Sequence, residues 1–152
     1  MTLDTLNEIR SRLLIQDLVA NYCHGMDKHD LDLFMALWHP EAEFLPGEPF
    51  GNFYGADEIR RAVTELVWPG LPRTRHWTVN LVVKIDGDQA TGLADVIGSA
   101  TTPDGVMASV DATYEDRYER RDGVWCFVRR RIVVHEFTGL AEDWTLQGGS
   151  TG

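Results

Sequence analysis

The first third of the chain has the apolar spacing of amphipathic helices. Apolar residues recur at intervals of three and four, which predicts a helix from about Asp4 to His24, with Gly25 as its stop. Asp30 is a suitable N-cap for a second, short helix, Leu31 to Trp38, which must end ahead of a proline. Asp27 therefore lies at the corner between two helices. The spaced apolar positions of the first helix are Ile15, Leu18, Val19, Tyr22 and Met26.

A third helix and two short strands are predicted next. The stretch Gly55 to Glu58 puts acids in a first helical turn, and Pro69 lies beyond the expected end. Between the second and third helices, residues 42–44 and 50–54 are short enough to form the two strands of a hairpin. The apolar positions of the third helix are Ile59, Val63, Leu66 and Val67.

The rest of the chain has the regularly spaced turn signals of an antiparallel sheet. Three Asp-Gly pairs, beginning at positions 86, 104 and 122, separate runs rich in Val, Ile, Thr and aromatic residues. Asp-Gly favours tight hairpin turns because both residues tolerate a positive φ. The predicted strands are about Thr74–Ile85, Gln89–Ala100, Val106–Arg121 and Val124–Phe137. Residues 138–152 follow as a tail or lid whose glycine-rich end is expected to fray.

Three helices followed by a long meander predict an α+β domain. The expected architecture is a cone in which the helices pack inside a strongly curved, mostly antiparallel sheet. A chain of 152 residues fits one such domain, so we expect a single unit over 1–152. A pocket at the open end of the cone would be lined by the first helix, the inner faces of several strands and the tail.

Charge and composition narrow the function classes. Fourteen Lys and Arg against 24 Asp and Glu leave a net charge of −10, which disfavours nucleic acid and anionic membranes as partners. The N-terminal residues lack the pattern of a signal peptide, so we expect a cytoplasmic protein. Cys23 and Cys126 are expected to be free thiols. No nucleotide-binding, nucleophile-elbow or metal-ligand motif occurs, so we expect neither cofactor nor metal.

His76 is the first candidate for chemistry, because the pKa of histidine lies near neutrality. Strand alternation puts His76 and Thr78 on one face and Trp77 and Val79 on the other. If the apolar face met the helices along the whole strand, His76 would point into solvent. A β-bulge near the start of the strand, or burial on both faces, would turn it inward. The alternation alone leaves these possibilities open.

Two charged residues lie on otherwise apolar faces. Asp27 follows the apolar face of the first helix and is either a solvated corner residue or a partner for a histidine. Arg130 interrupts the apolar row that contains Val128 and Ile132 in the last strand. A buried guanidinium needs an acceptor, which would be either a structural carboxylate or a ligand.

These features together resemble the SnoaL-like branch of the nuclear-transport-factor-2-like superfamily, whose fold is the α+β, cystatin-like cone. Within it the chain resembles the gamma-hexachlorocyclohexane dehydrochlorinases and, more distantly, the scytalone dehydratases. The densest block of similarity is the stretch from Tyr118 to Trp125. The other stretches that carry it are Ile15 to Leu18, Met26 to Lys28, Leu37-Trp38, Val67 to Pro69, His76 with Asn80-Leu81, Asp95-Val96, Phe137-Thr138 and Leu140-Ala141.

The resemblance implies an active site. Asp27 and His76 match the proton-abstracting Asp/His dyad of the dehydrochlorinases, and Arg130 matches an arginine of their pocket. Tyr22 replaces a basic or amide residue there, so the matching dyad has a different lining and a different substrate is expected. Residues expected to bind the substrate are Tyr22, Cys23, Met26, Phe44, Val67, Thr74 and Val96.

The implied activity is that of a cofactor-independent lyase. His76, oriented by Asp27, would remove a proton from a small hydrophobic cyclic or aromatic substrate while water, halide or a small aldehyde leaves, helped by Arg130 or Tyr22. The alternatives are a polyketide-type or steroid-type isomerase or cyclase with the same pocket, and a non-catalytic module that binds a hydrophobic ligand or a protein. The resemblance also implies a homo-oligomer, a trimer or a dimer.

Overall fold

The computed structural model describes residues 1–140, Trp144 and Leu146. Its first element is the long helix α1, Leu3–Asp27. The Thr2 side chain caps its first turn by accepting a hydrogen bond from the Thr5 backbone N–H at 3.1 Å. α1 continues past Gly25, so the expected stop there was wrong. Gly25 instead allows close packing, since a Cβ built on it would lie 2.9 Å from the Cβ of Phe34.

This packing makes Gly25→Ala a test of the contact between α1 and the next helix. In an open helical position the substitution stabilises a protein by up to about 1 kcal/mol. Here the added methyl group meets Phe34, and we expect a loss of about 1–3 kcal/mol in the free energy of unfolding. Urea denaturation measures the sign, and a stabilised variant would contradict the close approach.

The second helix is shorter than predicted. α2 spans Leu31–Met35, with the Asp30 carboxylate as N-cap, and the chain then enters strand β1, Trp38–Gly47. The predicted continuation of the helix to Trp38 was wrong because the chain switches there to pairing with the last strand, where the Phe127 backbone N–H donates to the Leu37 carbonyl at 2.7 Å. The predicted hairpin is confirmed: β1 pairs with β2, Gly51–Tyr54.

The third predicted helix forms with an interruption. α3 spans Ala56–Arg61, a π-helical segment follows over Ala62–Val67, and α4 adds one turn over Trp68–Gly70. The helical stretch thus includes Pro69 rather than ending before it. The indole N–H of Trp68 donates to the Met26 carbonyl at 3.0 Å, which ties this region to the end of α1.

A six-stranded sheet of order β2-β1-β6-β5-β4-β3 wraps around α1. The four long strands are confirmed as β3 Arg73–Asp86, β4 Gln89–Thr101, β5 Met107–Arg121 and β6 Val124–Thr138. They are antiparallel to one another, whereas β1 joins β6 in parallel. The α+β class predicted from the sequence is therefore confirmed.

A bulge in β3 decides which face of the strand points inward. Asn80 has a φ of 56°, and the register with β4 shifts between Val79 and Val82. Thr74 faces the helices before the bulge and Val83 faces them after it. A bulge was the condition for an inward His76, although it lies in the middle of the strand rather than near its start.

The outer face of the sheet carries an apolar patch, which we call the outer patch. Its members are at least 49% exposed and lie on the neighbouring strands β3 and β4. Exposed apolar surface of this kind is typical of protein interfaces. The members of the outer patch are Trp77, Val79, Val82, Leu93 and Ile97.

The homo-oligomer expected from the sequence stays a prediction, and the outer patch is where we expect copies to meet. Trp77→Arg combined with Ile97→Arg should shift the protein to a monomer in sedimentation velocity while leaving its circular dichroism unchanged, because both side chains point away from the core. An unchanged sedimentation coefficient would contradict the assignment. Leu3→Arg, in the exposed first turn of α1, is the control.

Part of the predicted tail is ordered against the open end of the cone. Trp144 and Leu146 are buried in a small cluster with Leu71, and the Leu146 backbone N–H donates to the Pro49 carbonyl at 3.3 Å. Thr138 itself belongs to β6. The rest of the expected tail, residues 141–143, 145 and 147–152, lies outside the described residues. No described helix is long and apolar enough to cross a membrane.

Candidate active site

A carboxylate and an imidazole meet where the end of α1 lies against the first residues of β3. The Oδ1 atom of Asp27 is 2.6 Å from Nδ1 of His76. The Asp27 carboxylate also accepts the Thr74 hydroxyl at 2.7 Å and the His76 backbone N–H at 2.9 Å. Three donors from one strand segment therefore fix the orientation of this carboxylate.

The contacts of Asp27 keep it ionised. Burial raises the pKa of Asp27, but the hydrogen bond and charge of His76 and the hydrogen bond from Thr74 more than offset this, so the pKa lies below its usual value. An ionised carboxylate only accepts hydrogen bonds, so Nδ1 of His76 carries the proton in this contact. In the neutral ring the lone pair is then on Nε2.

The free side of His76 faces a cavity of about 110 Å³ at the open end of the cone. The Nε2 atom has no hydrogen-bond partner within the described part of the chain. Aliphatic and aromatic groups make up nearly all of the wall. Residues of the wall include Tyr22, Met26, Phe44, Phe53, Val67, Leu71, Thr74, His76, Val96, Ala112, Tyr114, Ile132, Val134, Phe137 and Leu146.

Most of the residues predicted to bind the substrate line this cavity. They are Tyr22, Met26, Phe44, Val67, Thr74 and Val96, joined by His76. Cys23 does not line it; its thiol lies one helical turn before Asp27 and contacts the hydroxyl of Thr78 in β3 at 3.3 Å. Asp27 lies behind His76 and reaches the cavity only through that ring.

Arg130 is fully buried behind the cavity wall and does not line the cavity. Its Nε and Nη2 atoms donate to the Asp116 carboxylate at 2.9 and 2.8 Å, and the Tyr118 hydroxyl donates to the same carboxylate at 2.7 Å. Burial lowers the pKa of Arg130, but the charge of Asp116 more than restores it, so the guanidinium is permanently positive. Of the two acceptors considered for Arg130, the structural carboxylate is the one observed.

Two functional features escaped the sequence reasoning. Tyr114 of β5 lines the cavity beside Tyr22, with ring centroids 5.8 Å apart in an edge-on contact, and Asp116 holds Arg130. The sequence does carry a signal for Asp116: it is the one acid among the apolar residues of the inward-facing row of β5, just as Arg130 interrupts the apolar row of β6.

The described side chains give little support for a metal site or a reactive thiol. Within residues 1–140, Trp144 and Leu146, no three His, Cys, Asp or Glu side chains converge in a way that could hold a metal ion. Burial raises the pKa of both Cys23 and Cys126, which disfavours the reactive thiolate form. The arrangement is instead suited to proton transfer between His76 and a substrate in an apolar cavity.

Comparison with known proteins places this geometry in a family. The sequence-family model of the SnoaL-like domain matches residues 7–131 of this chain. A curated relative, the gamma-hexachlorocyclohexane dehydrochlorinase of Sphingobium indicum, is 30% identical over 138 residues, which cover 90% of this chain and 88% of the relative.

Solved structures agree with that assignment. The hexachlorocyclohexane dehydrochlorinase LinA-type3 from Novosphingobium barchaimii superposes with a TM-score of 0.82 at 30% identity, covering 91% of this chain and 95% of that one. A putative scytalone dehydratase from Novosphingobium aromaticivorans has a TM-score of 0.79 at 20% identity, covers 93% of each chain, and shows the shared fold. The chain therefore belongs to the family of SnoaL-like domains, with the cystatin-like cone expected from its sequence and with dehydrochlorinases, which are lyases, among its relatives.

Proposed function

We propose that the protein is a cofactor-independent lyase for a small hydrophobic ring compound, with His76 as the general base. The observation that carries the proposal is the pairing of Nδ1 of His76 with the ionised Asp27, which leaves Nε2 free at an apolar cavity. The dehydrochlorinase relatives are lyases, which supports the same class of reaction.

The reaction would begin with proton abstraction. Nε2 of His76 takes a proton from a ring carbon, and Asp27 stabilises the resulting imidazolium because its carboxylate stays ionised. The C–H electron pair forms a double bond as the leaving group departs from the neighbouring carbon. General-base catalysis of this kind contributes about 10²- to 10⁴-fold in rate.

The lining sets the size and polarity of the substrate. A cavity of about 110 Å³ with mostly apolar walls favours a single substituted ring over a fused polycycle. Phe44 and Val96 supply flat and branched apolar contacts, which orient a ring without bonding to it. The site thus suits loss of halide or water from a monocyclic compound. For loss of a small aldehyde, Nε2 of His76 would instead take the proton of a hydroxyl group, the O–H electron pair would form the C=O bond of the aldehyde as the C–C bond breaks, and the ring carbon would take the proton back from the imidazolium.

Mass spectrometry of the products tests the proposal. The purified protein is incubated with gamma-hexachlorocyclohexane and with a cyclic β-hydroxy ketone, and we expect a product lighter by HCl or by water for at least one of them. A product of unchanged mass would instead support the isomerase or cyclase. Binding of both compounds without any turnover would support the non-catalytic module and contradict the lyase.

A further inference from the structure

A charged residue interrupts the apolar outer patch. Asp95 lies between Leu93 and Ile97 on the outward row of β4 and pairs with Val79 on β3. A carboxylate among exposed apolar side chains weakens such a patch as an interface, so its presence there calls for another reason. The proposed reaction does not supply one, because Asp95 is on the opposite face of the sheet from the cavity.

The Asp95 carboxylate holds the bulged residue of β3. Its Oδ2 atom accepts the side-chain amide of Asn80 at 3.0 Å, and its Oδ1 atom accepts the Thr113 hydroxyl from β5 at 3.0 Å. The hydrogen bond from Asn80, followed by that from Thr113, holds the pKa of Asp95 below its usual value, so the carboxylate stays ionised. Asn80, Asp95 and Thr113 thus link three strands, and we call them the outer brace.

The outer brace ends at His135 of β6. Because the Thr113 hydroxyl donates to Asp95, Nε2 of His135 is the donor in its 2.8 Å contact with the Thr113 oxygen. The side-chain amide of glutamine can make the same donation. His135→Gln therefore leaves the outer brace in place.

The location of the bulge decides whether His76 faces the cavity. The inward positions of β3 are 74, 76 and 78 before the bulge and 81, 83 and 85 after it. With the later positions held in the core, an extra residue located before His76 would put positions 77 and 79 inward and turn the imidazole to the solvent.

The hydrophobic preference of the strand favours this other arrangement. Trp77 is 56% exposed and Val79 is 49% exposed, and both would be buried if His76 turned outward. Asn80 opposes this shift because it adopts a φ of 56°, which asparagine tolerates and which the bulky and β-branched residues at 73–79 disfavour. The hydrogen bond from its side chain to Asp95 forms only when Asn80 is the bulged residue.

We propose that Asp95 is a positioning residue for His76, which it keeps inward by holding the β3 bulge at Asn80. A hydrogen bond to a charged group favours one arrangement over another by about tenfold in population. The imidazole then stays where Asp27 can pair with it at 2.6 Å. The effect of Asp95 on the ring is independent of any reaction, whereas its effect on catalysis rests on the proposed lyase function.

The Nδ1 proton of His76 reports the position of the ring without any substrate. The short contact with the ionised Asp27 places its NMR signal far downfield, and His76→Gln identifies the signal. In Asp95→Ala we expect an about tenfold larger population with the ring outward, measured as lost intensity of this signal. Asp111→Ala, the same exchange at an exposed carboxylate of β5 that has no hydrogen bond or ion pair among the described residues, should leave the intensity unchanged.

A second substitution tests whether Asp95 acts through the bulge. Glycine adopts a positive φ without side-chain support, so Asn80→Gly added to Asp95→Ala should restore the His76 signal. Asn80→Val disfavours that φ and should lose the signal even though Asp95 is present. A failure of Asn80→Gly to restore the signal would contradict the route through the bulge.

The kinetic measurement separates this inference from the lyase proposal. With a compound that is turned over, Asp95→Ala should lower kcat and leave KM within about twofold of the wild type, because the molecules with an inward ring keep the same cavity. If no compound is turned over, the lyase proposal fails while the NMR signal still decides the inference. A role in stability alone would lower the urea midpoint of Asp95→Ala and leave the His76 signal at full intensity, which would overturn the inference.

Discussion

Replacement of His76 by Gln is expected to lower turnover at least about 100-fold while the protein stays folded. Gln fills a similar space and can still hydrogen-bond to Asp27, but its amide does not accept a proton near neutral pH. The loss therefore measures general-base catalysis, which contributes about 10²- to 10⁴-fold. The measurement is the steady-state rate with the substrate that the product screen identifies, alongside circular dichroism to verify folding.

Asp27→Asn is the companion variant and should give a loss of similar size. The Asn side chain cannot supply two anionic oxygens to the three donors of β3, so it fixes neither the tautomer of His76 nor the charge of its imidazolium form. His135→Gln changes an exposed histidine on β6 that does not line the cavity and is the matched control. Equal rates for His76→Gln and this control would remove the dyad from the mechanism.

Asp116→Asn is expected to produce a large loss of stability. It removes the negative partner of a guanidinium that is 0% exposed, and an uncompensated buried charge costs about 3–5 kcal/mol. The hydrogen bond from Tyr118 loses its ionised acceptor as well. Urea denaturation of the wild type and the variant measures the difference.

The neighbouring residue provides the control for this loss. Glu115 pairs with Arg131 at 2.8 Å on the outer face, where both side chains are about half exposed. Glu115→Gln should therefore cost at most about 1 kcal/mol, as surface ion pairs usually do. If the two substitutions cost the same, the pair of Asp116 and Arg130 does not carry the stability assigned to it.

The architecture was largely predictable because each element has a local signal. Regular Asp-Gly spacing gave the four long strands, and Asp122 and Gly123 do adopt the positive φ values, 51° and 79°, of a tight primed turn. What local patterns could not supply was Gly25, whose role depends on the close approach of Phe34 from another helix. A glycine within a helix has the same appearance in the sequence whether it ends the helix or admits a neighbour.

The site was harder to predict because β-bulges change the phase of the strands that build it, and two of them decide the direction of His76 and the partner of Arg130. The bulge at Asn80 changes which alternate residues of β3 face inward before and after it. Simple alternation therefore left the direction of His76 open. In β6, Val128 has no partner in β5. Counting outward from the turn at 122–123 would oppose Asp116 to Arg129, whereas the bulge brings it opposite Arg130.

The same phase change corrects the predicted row of residues that contains Arg130. Val128 was expected on its row but is the bulged residue, and the inward row instead runs through Phe127, Arg130 and Ile132. The inward direction of Arg130 was predicted, and its carboxylate partner was found only with the register. Long-range pairing, which a single sequence encodes weakly, therefore decides which charges meet behind the cavity.

Nitrogen-15 NMR of the histidine ring tests the central claim most directly, because it reports which nitrogen of His76 carries the proton. With histidine labelled in both ring nitrogens and His76→Gln used to assign the signal, the wild type at pH 8 should show a protonated Nδ1 and an Nε2 with a free lone pair. Asp27→Asn should lose this preference. A wild-type His76 protonated on Nε2, with its free lone pair on Nδ1, would contradict the proposed base.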